Sequence, residues 1–140
     1  PFLFIPVRDK ARVDQAVSVP GALAALTAVG DGEHAVFLFA REDDGSSDTV
    51  YSRMFASGLG VTEDPATGSA SGPLGCYLVE HGVVPPGRPA LVVSRQGVKM
   101  QRPSRIVIAV DGEPGAISGV RVGGEAVLVG RGEIELPNLR

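Results

Sequence analysis

Apolar positions along the chain come in short blocks, separated by Gly, Pro and acidic residues. Residues 2–7 (FLFIPV) form an apolar run stopped by Arg8-Asp9, which predicts a buried strand. Residues 12–29 place Val13, Ala16, Val17, Leu23, Leu26 and Val29 at mixed spacing, and Pro20-Gly21 divides them. The spacing of Leu23 and Leu26 predicts a second short helix after that division. Residues 35–40 (AVFLFA) and 49–54 predict two strands flanking the polar stretch REDDGSSD, most simply a solvated loop. Beyond the stiff connector VVPPGRP the blocks predict strands alone: 90–94, 106–110, 116–122, 125–129 and 134–136. Gly123-Gly124 predicts a two-residue hairpin turn, since both positions accept positive φ. There is no internal repeat and no linker, so residues 1–140 are expected to form a single α+β domain. The coarse pattern is seven or eight strands and one principal helix packed by a curved sheet.

That helix lies within GVTEDPATGSASGPLGCYLVEHG, residues 60–82. Ala70, Leu74 and Leu78 share one face, with Ser71, Gly75 and Val79 beside them. Small residues fill much of the remaining circumference, so a helix over residues 66–81 is expected to be buried all round. Asp64-Pro65 fits an N-cap, Gly82 a left-handed residue past the C-terminus, and His81 the negative helix end. Gly68, Gly72 and Gly75 each cost about 1 kcal/mol relative to alanine. Pro73 costs about 3 kcal/mol if interior, so a regular helix starting at Pro73 after a capped turn is a second possibility. Thr67-Gly68-Ser69 at a helix N-terminus can offer N–H groups to an anion, with Asp64 at the rim to orient an amine, hydroxyl or proton. The plainer alternative is that Asp64 only caps and the glycines only permit close helix–sheet packing.

Composition narrows the function classes. Hydrophobic residues at 44% and charged ones at 21% describe an ordinary globular protein. A net charge of −3, no Lys/Arg run, and seven Phe/Tyr residues without Trp argue against a nucleic-acid surface. The longest apolar runs are strand-length, so no membrane span is expected. PFLFIPVRDK lacks a signal-peptide pattern and Cys76 is the single cysteine, so the cytoplasm is the expected compartment. GSASG misses the nucleophile elbow because its centre is Ala70. His34 and His81 sit in no Cys/His/acid cluster, and no metal site is expected. No P-loop or dinucleotide fingerprint occurs, and Cys76 fits a buried, inert thiol.

The segment YSRMFASGLGVTEDPATGSASGPLGCYL resembles the signature of the PhzF-like isomerases of phenazine biosynthesis. FLFIPVRD, RQGVKMQRPSRI and VGGEAVLVGRGEIELP extend the resemblance over essentially the whole chain. It implies the diaminopimelate-epimerase-like fold: two pseudo-symmetric halves, each a curved, mostly antiparallel sheet around a central helix. The active site then lies between the halves, with both helix N-termini facing the ligand. This chain resembles the C-terminal half. The implied chemistry is proton transfer on a small carboxylate-bearing substrate, with no metal or organic cofactor. In the phenazine enzyme a glutamate from the first half moves the proton, and no residue here matches it. The resemblance places catalytic roles on Asp64 and Ser69, and substrate binding on Thr67, Gly68 and Ser69. Epimerases of this fold carry a cysteine just before the matching Thr-Gly. Ala66 stands there, which disfavours a two-thiol mechanism, and Cys76 does not substitute because it lies more than two helical turns further on. Ser57 and Gln101 stand where the family usually has proline and glycine. The expected partner is the N-terminal half or a second copy; a homodimer would bring two Asp64 carboxylates near each other. A non-catalytic homodimeric carboxylate-binding module is the alternative function.

Overall fold

The computed structural model describes residues 2–27, 34–42, 49–85 and 87–135. Among these, the strands are β1 (Phe2–Pro6), β2 (Ala35–Arg41), β3 (Thr49–Ala56), β4 (Val61–Asp64), β5 (Gly87–Gln96), β6 (Ser104–Glu113) and β7 (Ala116–Gly124). The helices are α1 (Lys10–Gln15), α2 (Pro20–Thr27) and α3 (Gly68–Glu80). The strands form one mixed sheet, ordered β1-β2-β3-β5-β6-β7, with β4 attached to β3. β1 runs parallel to β2 and β3 parallel to β5, while the remaining pairs are antiparallel. The sheet curls into a half-barrel around α3, the α+β architecture that the sequence predicts.

AVFLFA is apolar without interruption because β2 is covered on both faces. Phe37 and Phe39 join Met54, Leu74, Leu78, Val92, Ile108 and Val110 in the core around α3. Leu38 and Ala40 face the other way and pack with Val13, Tyr51 and Phe55 beneath α1 and α2. In α3 the buried residues are Ala70, Ser71, Leu74, Gly75, Leu78 and Val79, the face read from the sequence. A Cβ on Gly75 would lie 2.5 Å from Ile108 Cγ2 and 2.9 Å from Val110 Cγ2, so the helix rests on β6 through that glycine. Gly82 takes φ +63°, as a left-handed residue past the helix end should.

Several expectations are corrected. α3 is not buried all round: Gly68, Ser69, Pro73 and Glu80 are exposed along one strip, with Cys76 half-buried beside it. The sheet closes around the other faces only. The helix begins at Gly68 with Pro73 in its interior, so the later start at Pro73 fails. Gly123 and Gly124 do not turn; they end β7, opposite Val107 and Ile106. The β6–β7 turn lies at Pro114-Gly115 instead, with Gly115 at φ +75°, a Pro-Gly signature that the strand pattern obscured. Residues 125–135 form no strand among the described residues, because no described strand pairs with them. Val127, Leu128, Val129 and Ile134 therefore stay exposed. Leu136, Val29 and residues 43–48 of the polar loop lie outside the described residues. At the loop's start Glu42 is not solvated, since its largely buried carboxylate pairs with Lys10 and Arg95. Gln101 has φ +58°, a left-handed conformation that glycine adopts without strain.

Candidate active site

One edge of β3 is shared by two strands. β5 pairs with Thr49–Tyr51 in parallel, and β4 pairs antiparallel with Met54 and Ala56. The two diverge between these stretches, which would leave backbone groups near the end of β4 without ladder partners. Gln96, the last residue of β5 and fully buried, fills that gap. Its Nε2 donates to the Asp64 carbonyl at 2.7 Å and to Thr67 Oγ1 at 2.8 Å, and its Oε1 accepts from Thr67 N–H at 3.2 Å. The next residue, Gly97, has φ +74°, and a Cβ there would lie 2.8 Å from the Pro65 carbonyl oxygen. Gln96-Gly97 thus clamps the turn that joins β4 to α3. The pair lies inside RQGVKMQRPSRI, where the residue pattern alone points to no role for it.

Thr67 stands at the N-cap of α3, and its side chain makes no cap hydrogen bond. Its hydroxyl donates to Asp64 Oδ2 at 2.7 Å. The direction follows from Gln96, whose amide already occupies an acceptor position of that hydroxyl. Asp64 is therefore not the helix cap that the sequence suggested. It ends β4, and its carboxylate meets the backbone through a long 3.4 Å bond from Ala66 N–H to Oδ1. Thr67 O accepts from Ala70 N–H, Ser71 N–H and Ser71 Oγ. Gly68 and Ser69 N–H come earlier than any intrahelical acceptor can reach. Gly68 and Ser69 are exposed, and a Cβ at Gly68 would meet nothing within 4 Å. Packing requires Gly75; it does not require Gly68.

All four residues named from the sequence thus meet at one end of α3: Asp64 half-buried, Thr67 buried, Gly68 and Ser69 open. Beneath them, on the opposite face of β3, Glu63 forms two 2.8 Å bonds with Arg53, to Nε and Nη2. The Arg53 pKa is raised, first by this hydrogen bonding and further by the Glu63 charge, against the opposing effect of burial. Tyr51 donates to Asp14 at 2.7 Å, and burial, then that bond, push its phenol above the usual range. Among the described residues no group of three or more His, Cys, Asp and Glu is placed to hold a metal ion. Nor is any helix among the described residues long and apolar enough to cross a membrane.

A family model described as phenazine biosynthesis-like protein, PhzC-PhzF, matches residues 1–132. The chain belongs to this family. Among PhzC-PhzF relatives, the trans-2,3-dihydro-3-hydroxyanthranilate isomerase of Pseudomonas fluorescens is 44% identical over 85 residues, 61% of this chain and 30% of that enzyme. The uncharacterized isomerase YddE of Escherichia coli K12 is 32% identical over 130 residues, 91% of this chain and 42% of its own length. A predicted epimerase of Pseudomonas aeruginosa superposes with a TM-score of 0.63 at 34% identity, over 96% of this chain and 42% of that one. A PhzF-family protein of Bacillus anthracis, at 17% identity and a TM-score of 0.64, shares the fold over 90% of this chain and 45% of its own. The chain spans less than half the length of each of these relatives.

Proposed function

We propose that the chain supplies the second half of the active-site cleft of a PhzF-type isomerase. One observation carries this: α3 begins exposed and without a side-chain cap, while the threonine that would cap it is turned onto Asp64. A helix N-terminus left open in this way favours a negative group, here the carboxylate of a small substrate on the Gly68 and Ser69 N–H groups. Ser69 adds a hydroxyl at the same place. Asp64 keeps acceptor capacity at Oδ1 for a substrate amine, hydroxyl or transferring proton, because Thr67 engages Oδ2 and Ala66 N–H reaches Oδ1 only at 3.4 Å.

The reaction class is an isomerisation, with a proton removed from one carbon and returned to another, so that a double bond moves with no net oxidation. Such chemistry is general acid–base catalysis and needs no cofactor. Relatives named for trans-2,3-dihydro-3-hydroxyanthranilate support a substrate of that kind, a cyclic amino acid with a carboxylate and a hydroxyl. A second acid–base group must face Asp64 across the cleft, and we assign it to an N-terminal half equivalent to the remainder of the relatives' length. The exposed strip of α3, with Val120 and Val122 on β7, is the surface that half would cover. A second copy of the chain on the same strip gives the alternative, a homodimeric carboxylate-binding module.

Calorimetric titration with anthranilate tests the site. Asp64→Asn and Ser69→Ala should each weaken binding by about tenfold, the loss of roughly one charge-assisted hydrogen bond. Unchanged affinity in both variants would remove these residues from the site.

A further inference from the structure

The acidic pair Glu63-Asp64 raises a question that the site geometry answers. Adjacent strand residues point to opposite faces, so only one carboxylate can stand beside α3. β4 has four residues, and its ladder with β3 has two registered pairs, Met54↔Asp64 and Ala56↔Val61, with a register shift between them. Such a ladder fixes register weakly, and a one-residue slip would exchange the two carboxylates between faces. Met54 packs in the core around α3, so its partner Asp64 lies on that face and Glu63 on the other.

On that other face Arg53 is buried and held at all three of its guanidinium nitrogens. Nε and Nη2 hold Glu63, and Nη1 donates to the carbonyls of Val13 at 3.0 Å and Ala16 at 2.8 Å, at the end of α1. The Arg53 guanidinium also lies 4.7 Å from the centre of the Phe55 ring. A planar fork fixed at three points accepts a carboxylate in one geometry only.

We infer that the Arg53–Glu63 pair is a register lock that sends Asp64, and not Glu63, to the N-terminus of α3. Arg53 and Glu63 are thus positioning residues, and the functional half of this inference rests on the reading of Asp64 given above. A pair kept only for stability would instead act on the whole fold.

Amide hydrogen exchange on the full chain separates the two roles, since the Thr67 N–H is held inside the clamped turn and the Ile108 N–H reports the sheet centre. Glu63→Gln keeps shape and removes the charge; Arg53→Lys keeps the charge and removes the fork. Each is expected to speed Thr67 exchange by about tenfold or more while leaving Ile108 unchanged, and to weaken anthranilate binding in parallel. If Glu63→Gln fails to fold, Arg53→Lys decides. Thr67 protection that is unchanged, or that falls equally with that of Ile108, overturns the lock. Should Thr67 loosen selectively while Asp64→Asn binds anthranilate as the parent does, the lock stands and the functional reading of Asp64 falls.

Discussion

Gly68 and Gly75 carry the same side chain for different reasons, and substitution separates them. Alanine at Gly75 gains about 1 kcal/mol of helix propensity but must displace Ile108 and Val110, an overpacking cost of roughly 1–3 kcal/mol. Gly75→Ala should therefore lower the urea midpoint at unchanged slope. Gly68→Ala meets open space and should leave stability within about 0.5 kcal/mol, while its methyl crowds the N–H groups proposed to hold the carboxylate. Anthranilate affinity should fall for Gly68→Ala although its unfolding curve stays put; the reverse assignment of the two glycines is the contrary result. At this scale the residue pattern left Asp64, Thr67, Gly68 and Ser69 open between an anion site and a plain helix cap, and the family resemblance placed the site roles on them. The residue pattern missed Gln96. A glutamine at a strand end looks like any exposed polar residue until the strand beside it diverges and leaves backbone groups to satisfy. It also misjudged Asp64 as a cap, since capping depends on where the helix begins, and Pro73 blurred that boundary.

Among the elements, α3 was legible because its buried face repeats at steps of three and four, and β2 because its apolar run matches a strand covered twice. β4 was not: four residues with no apolar alternation leave no periodic signal, and only pairing to β3 makes them a strand. The late hairpin was misplaced because both Gly-Gly and Pro-Gly can turn a chain, and pairing with β6 decided in favour of Pro114-Gly115. The attachment of α1 to the sheet yields a pH prediction. Tyr51 on β3 donates to Asp14 on α1, and its phenol is raised above the ordinary 10.0 by burial and then by that bond. A raised acid stabilises the fold below its unfolded pKa, and that contribution drains away as pH climbs above about 10, by about 1.4 kcal/mol per unit. Chemical denaturation from pH 8 to 11 should show this decline, and Tyr51→Phe should flatten it. Equal slopes in the two proteins would assign the alkaline loss elsewhere.

Over the whole molecule, a half-barrel leaves its central helix open on one side, and this chain lines that side mostly with small residues up to Glu80. Ser69, Pro73 and Cys76 line it, next to Val120 and Val122, while Leu128 and Val129 stand uncovered further along. In the proposed assembly this open strip meets the half that faces Asp64. The curved sheet around a helix followed from the element pattern, whereas the open side did not, since small residues suit a helix beneath another domain as well as one wrapped by its own sheet. In the proposed cleft the N-terminus of α3, beside Asp64, receives a carboxylate. Amide chemical shifts during an anthranilate titration of the isotope-labelled chain test it most directly. The Gly68 and Ser69 amide resonances should shift saturably, with the midpoint raised about tenfold in Asp64→Asn. Resonances at Gly68 and Ser69 that stay still while others move, or that titrate identically in Asp64→Asn, would contradict it.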